Sequence, residues 1–305
     1  MELDRLDIRV MRELLQGQYV YPLNPDFRGS YRKIARKVGA GKDVVRNRIA
    51  RLHEDLIDEW HLFINPNLLG LDTLAVWLDV PPSVPKGPLL EKLKLMERIF
   101  LILNFFGSKL GVVMLCESET AARKRVDLIA RISDAAHVSQ GKVPSPECRM
   151  RLARTDWDII RVLHRNLRMP YEDIGVELGI SSRTVKRKLQ RMTKETVLFG
   201  MPALQFGRLK GTILAALFVS YPGELKADLD RRIFVKTDDY LWHVLHTVPL
   251  EAGRDFTTIF DLAVPSLSTA QRIAESVGGV KGVTGARVEA YEDCITLFEN
   301  FPRKI

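Results

Sequence analysis

Apolar positions along the chain alternate between helical and strand spacing, and the whole alternation occurs twice. Val10, Met11, Leu14 and Leu15 fall on one face of a helix, and Ile159, Ile160 and Leu163 do the same in the second half. Asp7 and Asp156 precede these runs at matching places, where a carboxylate suits the positive end of a helix. Tyr31 to Gly39 then matches Tyr171 to Gly179, and Val44, Val45, Ile49 and Leu52 match Thr184, Val185, Leu189 and Met192. Three short helices are therefore predicted in each half. The second ends at Gly39 or Gly179, where a sharp turn favours a residue able to take positive φ. The third is entered through Gly41-Lys42-Asp43 or through Ser181-Ser182, which supplies N-cap chemistry. This is helix-turn-helix spacing, twice.

Between the first and second helices the first half carries about nine additional residues, within Gly17 to Gly29, with three aromatics, two prolines and no helical period. The stretch reads as a loop folded over the first domain. Beyond each third helix the spacing becomes extended. Leu56 to Ile64 matches Val197 to Leu204, and each is expected to form a wing hairpin ending near Leu69-Gly70 or Phe206-Gly207. A strand at 73–80 or 212–220, a helix at 87–97 or 223–232, and strands at 99–106 and 109–116 or 240–248 and 255–264 come next. A helix at 118–133 or 267–277 and a last strand complete βαββαβ, the ferredoxin-like order. The expected class is α+β: a winged helix-turn-helix over 1–70, a ferredoxin-like domain over 71–143, a linker at 144–154, a second winged helix-turn-helix over 155–208 and a second ferredoxin-like domain over 209–305.

Charge narrows the choice of partner. Forty-six basic against 38 acidic residues in 305 leave a net charge of +8, which favours a polyanion, nucleic acid first. The longest apolar runs, Ile99 to Leu103 and Ile213 to Val219, fall far short of the ~20 residues that cross a bilayer, so no membrane partner is expected. The acidic, amphipathic Met1 to Asp7 lacks the features of an export signal. Three scattered cysteines, Cys116, Cys148 and Cys294, encode neither a disulfide framework nor a thiolate site, and a cytoplasmic location is expected.

Catalytic and metal-binding templates are not matched. There is no Gly-x-Ser-x-Gly elbow, no phosphate loop and no strand-following Gly-x-Gly-x-x-Gly, and Gly278, Gly279, Gly282 and Gly285 read as a turn into the last strand. His243 and His246 stand three apart on a predicted strand and so face opposite sides, while His53, His61, His137 and His164 are singletons. No metal and no cofactor are expected.

The strongest chemical signal lies on the third helices. From Ser181 to Lys194 the chain has no acid and presents Ser181, Ser182, Arg183, Thr184, Lys186, Arg187, Lys188 and Arg191 for contact with DNA. The first copy offers Lys42, Arg46, Asn47, Arg48 and Arg51. Arginine and lysine pair with guanine edges or phosphates and asparagine with adenine, which is what a helix entering the major groove requires. A merely solvated charged face is the plainer alternative.

The run Ile174-Gly175 followed by Leu178-Gly179-Ile180-Ser181-Ser182-Arg183-Thr184-Val185-Lys186-Arg187-Lys188-Leu189 resembles the helix-turn-helix of the leucine-responsive regulatory protein/asparagine-synthase regulator (Lrp/AsnC) family, and the resemblance extends over nearly the whole chain as a tandem duplication. The first copy departs from it at Gly41, where serine is usual. The resemblance implies a sequence-specific regulator of double-stranded DNA whose ferredoxin-like sheets pair within one chain as a pseudo-dimer. It also implies a small-molecule effector between sensing modules and further homodimerisation. The family's Gly-x-Tyr-Asp-like turn is missing: Gly111 and Thr257 stand at the aspartate position, so a plain amino-acid effector is not implied. A branch of the same architecture decarboxylates sirohaem. On that alternative His243, His246 and Arg254 are the residues to suspect. A third reading makes the first helix-turn-helix a protein-binding unit, helped by the Gly17 to Gly29 insertion.

Overall fold

The computed structural model describes residues 2–16, 23–251 and 253–300. The first head consists of α1 (Arg5–Leu15), α2 (Tyr31–Val38) and α3 (Lys42–Asp55), followed by strand β1 (Ile57–Ile64). A ferredoxin-like unit follows, β2 (Asp72–Asp79), α4 (Lys86–Lys94), β3 (Ile99–Phe105), β4 (Lys109–Cys116), α5 (Glu119–Ser133) and β5 (His137–Val143). Residues 144–153 carry no regular structure and lead to the second head, α6 (Arg154–Arg165), α7 (Tyr171–Leu178) and α8 (Ser182–Lys194), with strand β6 (Leu198–Leu204). The second ferredoxin-like unit is β7 (Ile213–Tyr221), α9 (Lys226–Thr237), β8 (Leu241–Pro249), β9 (Phe256–Val264), α10 (Leu267–Gly278) and β10 (Gly285–Thr296). The α+β duplication read from the apolar spacing is thus the architecture. One helix starts late: residues 223–225 form a 3-10 turn after Pro222, and α9 runs on to Thr237 instead of ending at 232.

The wing hairpins are the clearest correction. Each half contributes one strand, and β1 and β6 pair with each other antiparallel, from Ile57 opposite Leu204 to Ile64 opposite Leu198. Both strands are rich in apolar residues, and a ribbon shared between the heads buries Leu62, Phe63, Ile64, Leu198 and Phe199 together, which two separate exposed hairpins would not.

The two ferredoxin-like sheets close into one eight-stranded barrel in the order β10-β3-β4-β2-β5-β8-β9-β7. The last strand makes the main seam, because Gly285 to Ala290 pair with β7 of their own unit while Tyr291 to Thr296 pair with β3 of the other. A register shift between Tyr291 and Asp293 marks the change of partner. The opposite seam is short, Gly141 opposite Pro249 and Lys142 opposite Val248. Gly141 permits it: a Cβ there would lie 2.7 Å from that of Thr247. Side-chain alternation then sorts three cores. Leu74, Val76 and Val112 pack outward against α4 and α5, Leu217, Phe260 and Leu262 pack outward against α9 and α10, and Trp77, Leu103, Phe105, Phe218 and Tyr291 fill the lumen. The lumen core is continuous with the cores of both heads.

The first head sits on the second unit. Gln16 donates from Nε2 to the Val244 carbonyl (2.7 Å) and accepts from the Val244 N–H (2.9 Å), so the end of α1 is fastened to β8. Arg12 adds an ion pair with Asp238 at 2.8 Å. The Gly17 to Gly29 insertion lies partly outside the described residues. Its described part does not simply cover the first domain: Asn24 bridges to Gly200, and Arg28 donates to the carbonyls of Leu167 (2.8 Å) and Met169 (2.7 Å) in the second head.

Candidate nucleic-acid interface

Each head places its third helix by the same local means. Gly39 and Gly179 close the second helix with φ of 67° and 64°, a conformation that costs glycine nothing. In the second head the Ser181 hydroxyl then accepts from the Thr184 N–H at 3.2 Å and caps α8. In the first head Gly41 stands at the cap and supplies no side-chain bond, as its departure from the usual serine predicts.

Val185, Leu189 and Met192 are buried and seat α8, leaving Arg183, Lys186, Arg187, Arg191 and Lys194 exposed on the other side. None of these five makes an ion pair among the described residues. On α3, Val45, Ile49 and Leu52 are buried while Lys42, Arg46, Asn47 and Arg51 are exposed. Among the described residues Arg46 reaches only the exposed Asp43, at 3.3 Å. Ser182 and Thr184 are half-buried at the start of α8, and the Thr184 hydroxyl lies 2.9 Å from that of Ser181.

Two residues of the sequence-derived set turn inward. Arg48 is 2.8 Å from Asp7, whose side chain is 1% exposed, and also bonds Asp4. Hydrogen bonding to Asp7, then to Asp4, raises the Arg48 guanidinium above its ordinary range. Lys188 is 2.8 Å from Asp156, which is 4% exposed. In both heads the buried aspartate also accepts from the backbone at the helix start, Asp7 from the Asp4 N–H and Asp156 from the Ala153 N–H. These pairs clamp the third helix to the first and use up the charge that each cation would otherwise bring to DNA. Arg51 approaches Asp7 only at 3.9 Å.

Two exposed residues outside the predicted DNA-facing set join the surface, one of them, Val44, read from the sequence with the apolar series. Val44 is 45% exposed at the position that Thr184 occupies in the second head, and Gln190 adds an exposed amide on α8. Their signal was phase: Val44 stands one residue out of step with the buried Val45, Ile49, Leu52 series.

The residues suspected on the enzymatic alternative do not converge. His243 points into the lumen, with Nδ1 2.7 Å from Asp261, and His246 lies on the opposite face against Lys226 and Thr258 at 3.0 Å each. Arg254 is exposed and pairs with Glu251. A separate cavity of about 600 Å³ beside β1 and α6 brings His61, His164, Arg161 and Arg165 together with Glu59 and Glu299. Among the described residues no group of three His, Cys, Asp or Glu could hold a metal ion, and no helix is long and apolar enough to cross a membrane.

Residues 152–193 match the AsnC-type helix-turn-helix domain. The HTH-type transcriptional regulator Ptr1 of Methanocaldococcus jannaschii is 36% identical over 99 residues, which are 32% of this chain and 60% of that protein, so the chain spans less than two thirds of the relative it matches. The sirohaem decarboxylase NirDL has a similar fold, with a TM-score of 0.57 and 13% identity over 95% of this chain and 92% of that one. Its complex with an iron-uroporphyrin III analogue superposes equally well, over 98% and 96%. Over residues 152–193 the second head thus matches an AsnC-type helix-turn-helix domain, and the chain as a whole shares the fold of NirDL.

Proposed function

We propose that the protein is a sequence-specific regulator of transcription that binds double-stranded DNA through both third helices, one chain standing in for a dimer. The observation that carries the reading is the outer face of α8, where Arg183, Lys186, Arg187 and Arg191 are exposed with no acid on the helix to neutralise them. The buried Asp156 that holds Lys188 inside the head fixes the helix that bears that face, and an arginine on a fixed helix pairs bidentately with guanine in the major groove. The first head offers different chemistry. Asn47 suits adenine, and Val44 suits the thymine methyl, so the two half-sites differ and the operator is not a palindrome. The shared β1·β6 ribbon sets the separation of the heads. A small-molecule effector acting through the barrel and a further homodimer belong to the same proposal.

A second reading, a tetrapyrrole decarboxylase, is favoured by the cavity beside β1 and α6, where Arg161 and Arg165 suit a carboxylate, while Asp58, Glu59 and Glu299 in the same lining oppose a polyanion. One variant separates the two. Arg183→Glu with Arg187→Glu is expected to lower DNA affinity at least ~30-fold, from two contacts worth ~1–3 kcal/mol each, and to leave sirohaem absorbance titrations unchanged. Wild-type affinity in that variant overturns the DNA reading. Sirohaem uptake by the wild type without DNA binding installs the second.

A further inference from the structure

The end of the barrel lumen nearest the heads holds a cavity of about 110 Å³, separate from the exposed faces of α3 and α8. Its walls are chiefly apolar and come from every layer: Leu15 of α1, Phe63 of β1, Met201 of β6, and Leu103, Val113 and Ile259 of the barrel. For scale, a cavity of about 150 Å³ lined by aliphatic side chains takes up benzene. Leu23, Leu101 and Thr296 in the lining are only half-buried, so the cavity reaches toward solvent.

Polar groups converge on this apolar space. Asp261 is 5% exposed, accepts from the Tyr291 hydroxyl at 2.6 Å, and has His243 Nδ1 2.7 Å from its other oxygen. Burial, then the neighbouring charge of Asp261, pushes the Tyr291 phenol well above its usual range, so it remains a donor. Three further lining residues, Thr73, Trp77 and Trp242, are at least nine-tenths buried, and the hydroxyl of the first and the indole N–H of the other two have no hydrogen-bond partner among the described residues. A buried donor is normally paired, and Thr73 and Trp242 line this cavity, so their unpaired groups call for an acceptor, whereas Trp77 also lines the far end of the lumen. Part of this set has a local origin. A register shift between Leu241 and His243 turns both Trp242 and His243 inward, and Gly111 leaves the room that Trp77 occupies, since a Cβ there would lie 2.4 Å from the ring.

We infer that this cavity binds a small, neutral, largely apolar molecule of about four or five carbons bearing one carbonyl oxygen, which accepts from Trp242 and Thr73, with the Trp77 ring as part of the apolar wall. Charge selects the class. The carboxylate of Asp261 repels a second anion, and its two oxygens already have His243 and Tyr291, so an ammonium group meets mostly donors. Both Trp242 and His243 lie on β8, the strand to which Gln16 fastens α1, so the ligand touches the seat of the first head. Binding stands or falls independently of whether the heads bind DNA.

The test follows indole N–H resonances in the full-length protein titrated with isovaleramide, isovalerate, isoamylamine and toluene. For an amide of this size a dissociation constant near 1 mM is expected. Isovaleramide is expected to saturate a shift of the Trp242 N–H signal, leaving Trp157 in place, whereas the acid, the amine and toluene bind at least tenfold more weakly. Trp242→Phe keeps the ring without its N–H and is expected to weaken the amide about tenfold. Thr73→Val, which replaces the unpaired hydroxyl by a methyl of the same shape, is expected to weaken it likewise while raising thermal stability. No shift of the Trp242 signal at roughly 10 mM amide overturns the proposal. Toluene, the acid or the amine binding as tightly as the amide, or Thr73→Val lowering stability, does so equally.

Discussion

Replacing Arg48 by methionine separates a structural cation from one proposed to contact DNA. In the folded protein Arg48 is 2.8 Å from an Asp7 side chain that is 1% exposed, and Arg48 itself is 22% exposed. Removing one partner of a fully buried pair costs ~3–5 kcal/mol, because the remaining charge is left uncompensated. Here solvent reaches the arginine and Asp7 keeps the Asp4 N–H at 3.2 Å, which brings the expected cost to ~2–3 kcal/mol. Local opening of the first head should then become about 30- to 150-fold more frequent, at ~1.4 kcal/mol per decade. Amide hydrogen exchange at Val45, Ile49 and Leu52, buried on α3, reads this without requiring the whole chain to unfold in one step. Arg46→Met provides the contrast. Its guanidinium is 55% exposed and meets Asp43, 75% exposed, so exchange should change less than about threefold while DNA affinity falls. Arg48→Lys copies the second head and should restore most of the protection. Wild-type exchange in Arg48→Met, together with a loss of DNA affinity, would refute the assignment.

Three more outcomes follow. His246 is held near a pKa of about 4 by burial first and then by Lys226, with Asp230 opposing and His243 adding to the shift. Its depressed value means that stability is complete above the unfolded pKa near 6.5 and lost as pH falls toward 4, by on the order of 3 kcal/mol; urea titrations at both pH values should show the loss, and His246→Gln should flatten it. Gly141→Val forces a side chain against Thr247 at the two-residue seam between β5 and β8, and thermal unfolding should show a loss of ~1–3 kcal/mol. Arg28→Ala removes two donors from the Leu167 and Met169 carbonyls, and exchange at residues 166–171 should quicken about tenfold or more, whereas an unchanged rate would mean that the insertion does not brace the second head.

The repeat, the helices and most barrel strands were legible because helical and strand spacing are local signals. The β1·β6 ribbon was not. Its partners are more than a hundred residues apart, and an apolar strand looks the same whether it turns back on itself or crosses to its counterpart. Arg48 and Lys188 were grouped with the DNA-facing cations because any basic residue on a helix has the same composition signature. The duplication did hold the distinguishing signal: Asp7 with Arg48 and Asp156 with Lys188 occupy matching places in both heads, an acid and a base kept together. The lumen cluster was beyond reach, since Trp77 comes from one unit and Trp242, Asp261 and Tyr291 from three strands of the other.

Selection from fragmented genomic DNA at two salt concentrations, followed by footprinting of the recovered fragments, decides whether the two heads read sequence. Phosphate contacts predict affinity that falls steeply with salt, and base contacts predict a few fragments that survive the higher concentration. Two unlike half-sites under one footprint, the second lost in Arg183→Glu with Arg187→Glu, is the predicted result. No binding at low salt, or binding with no fragment enriched, would contradict it.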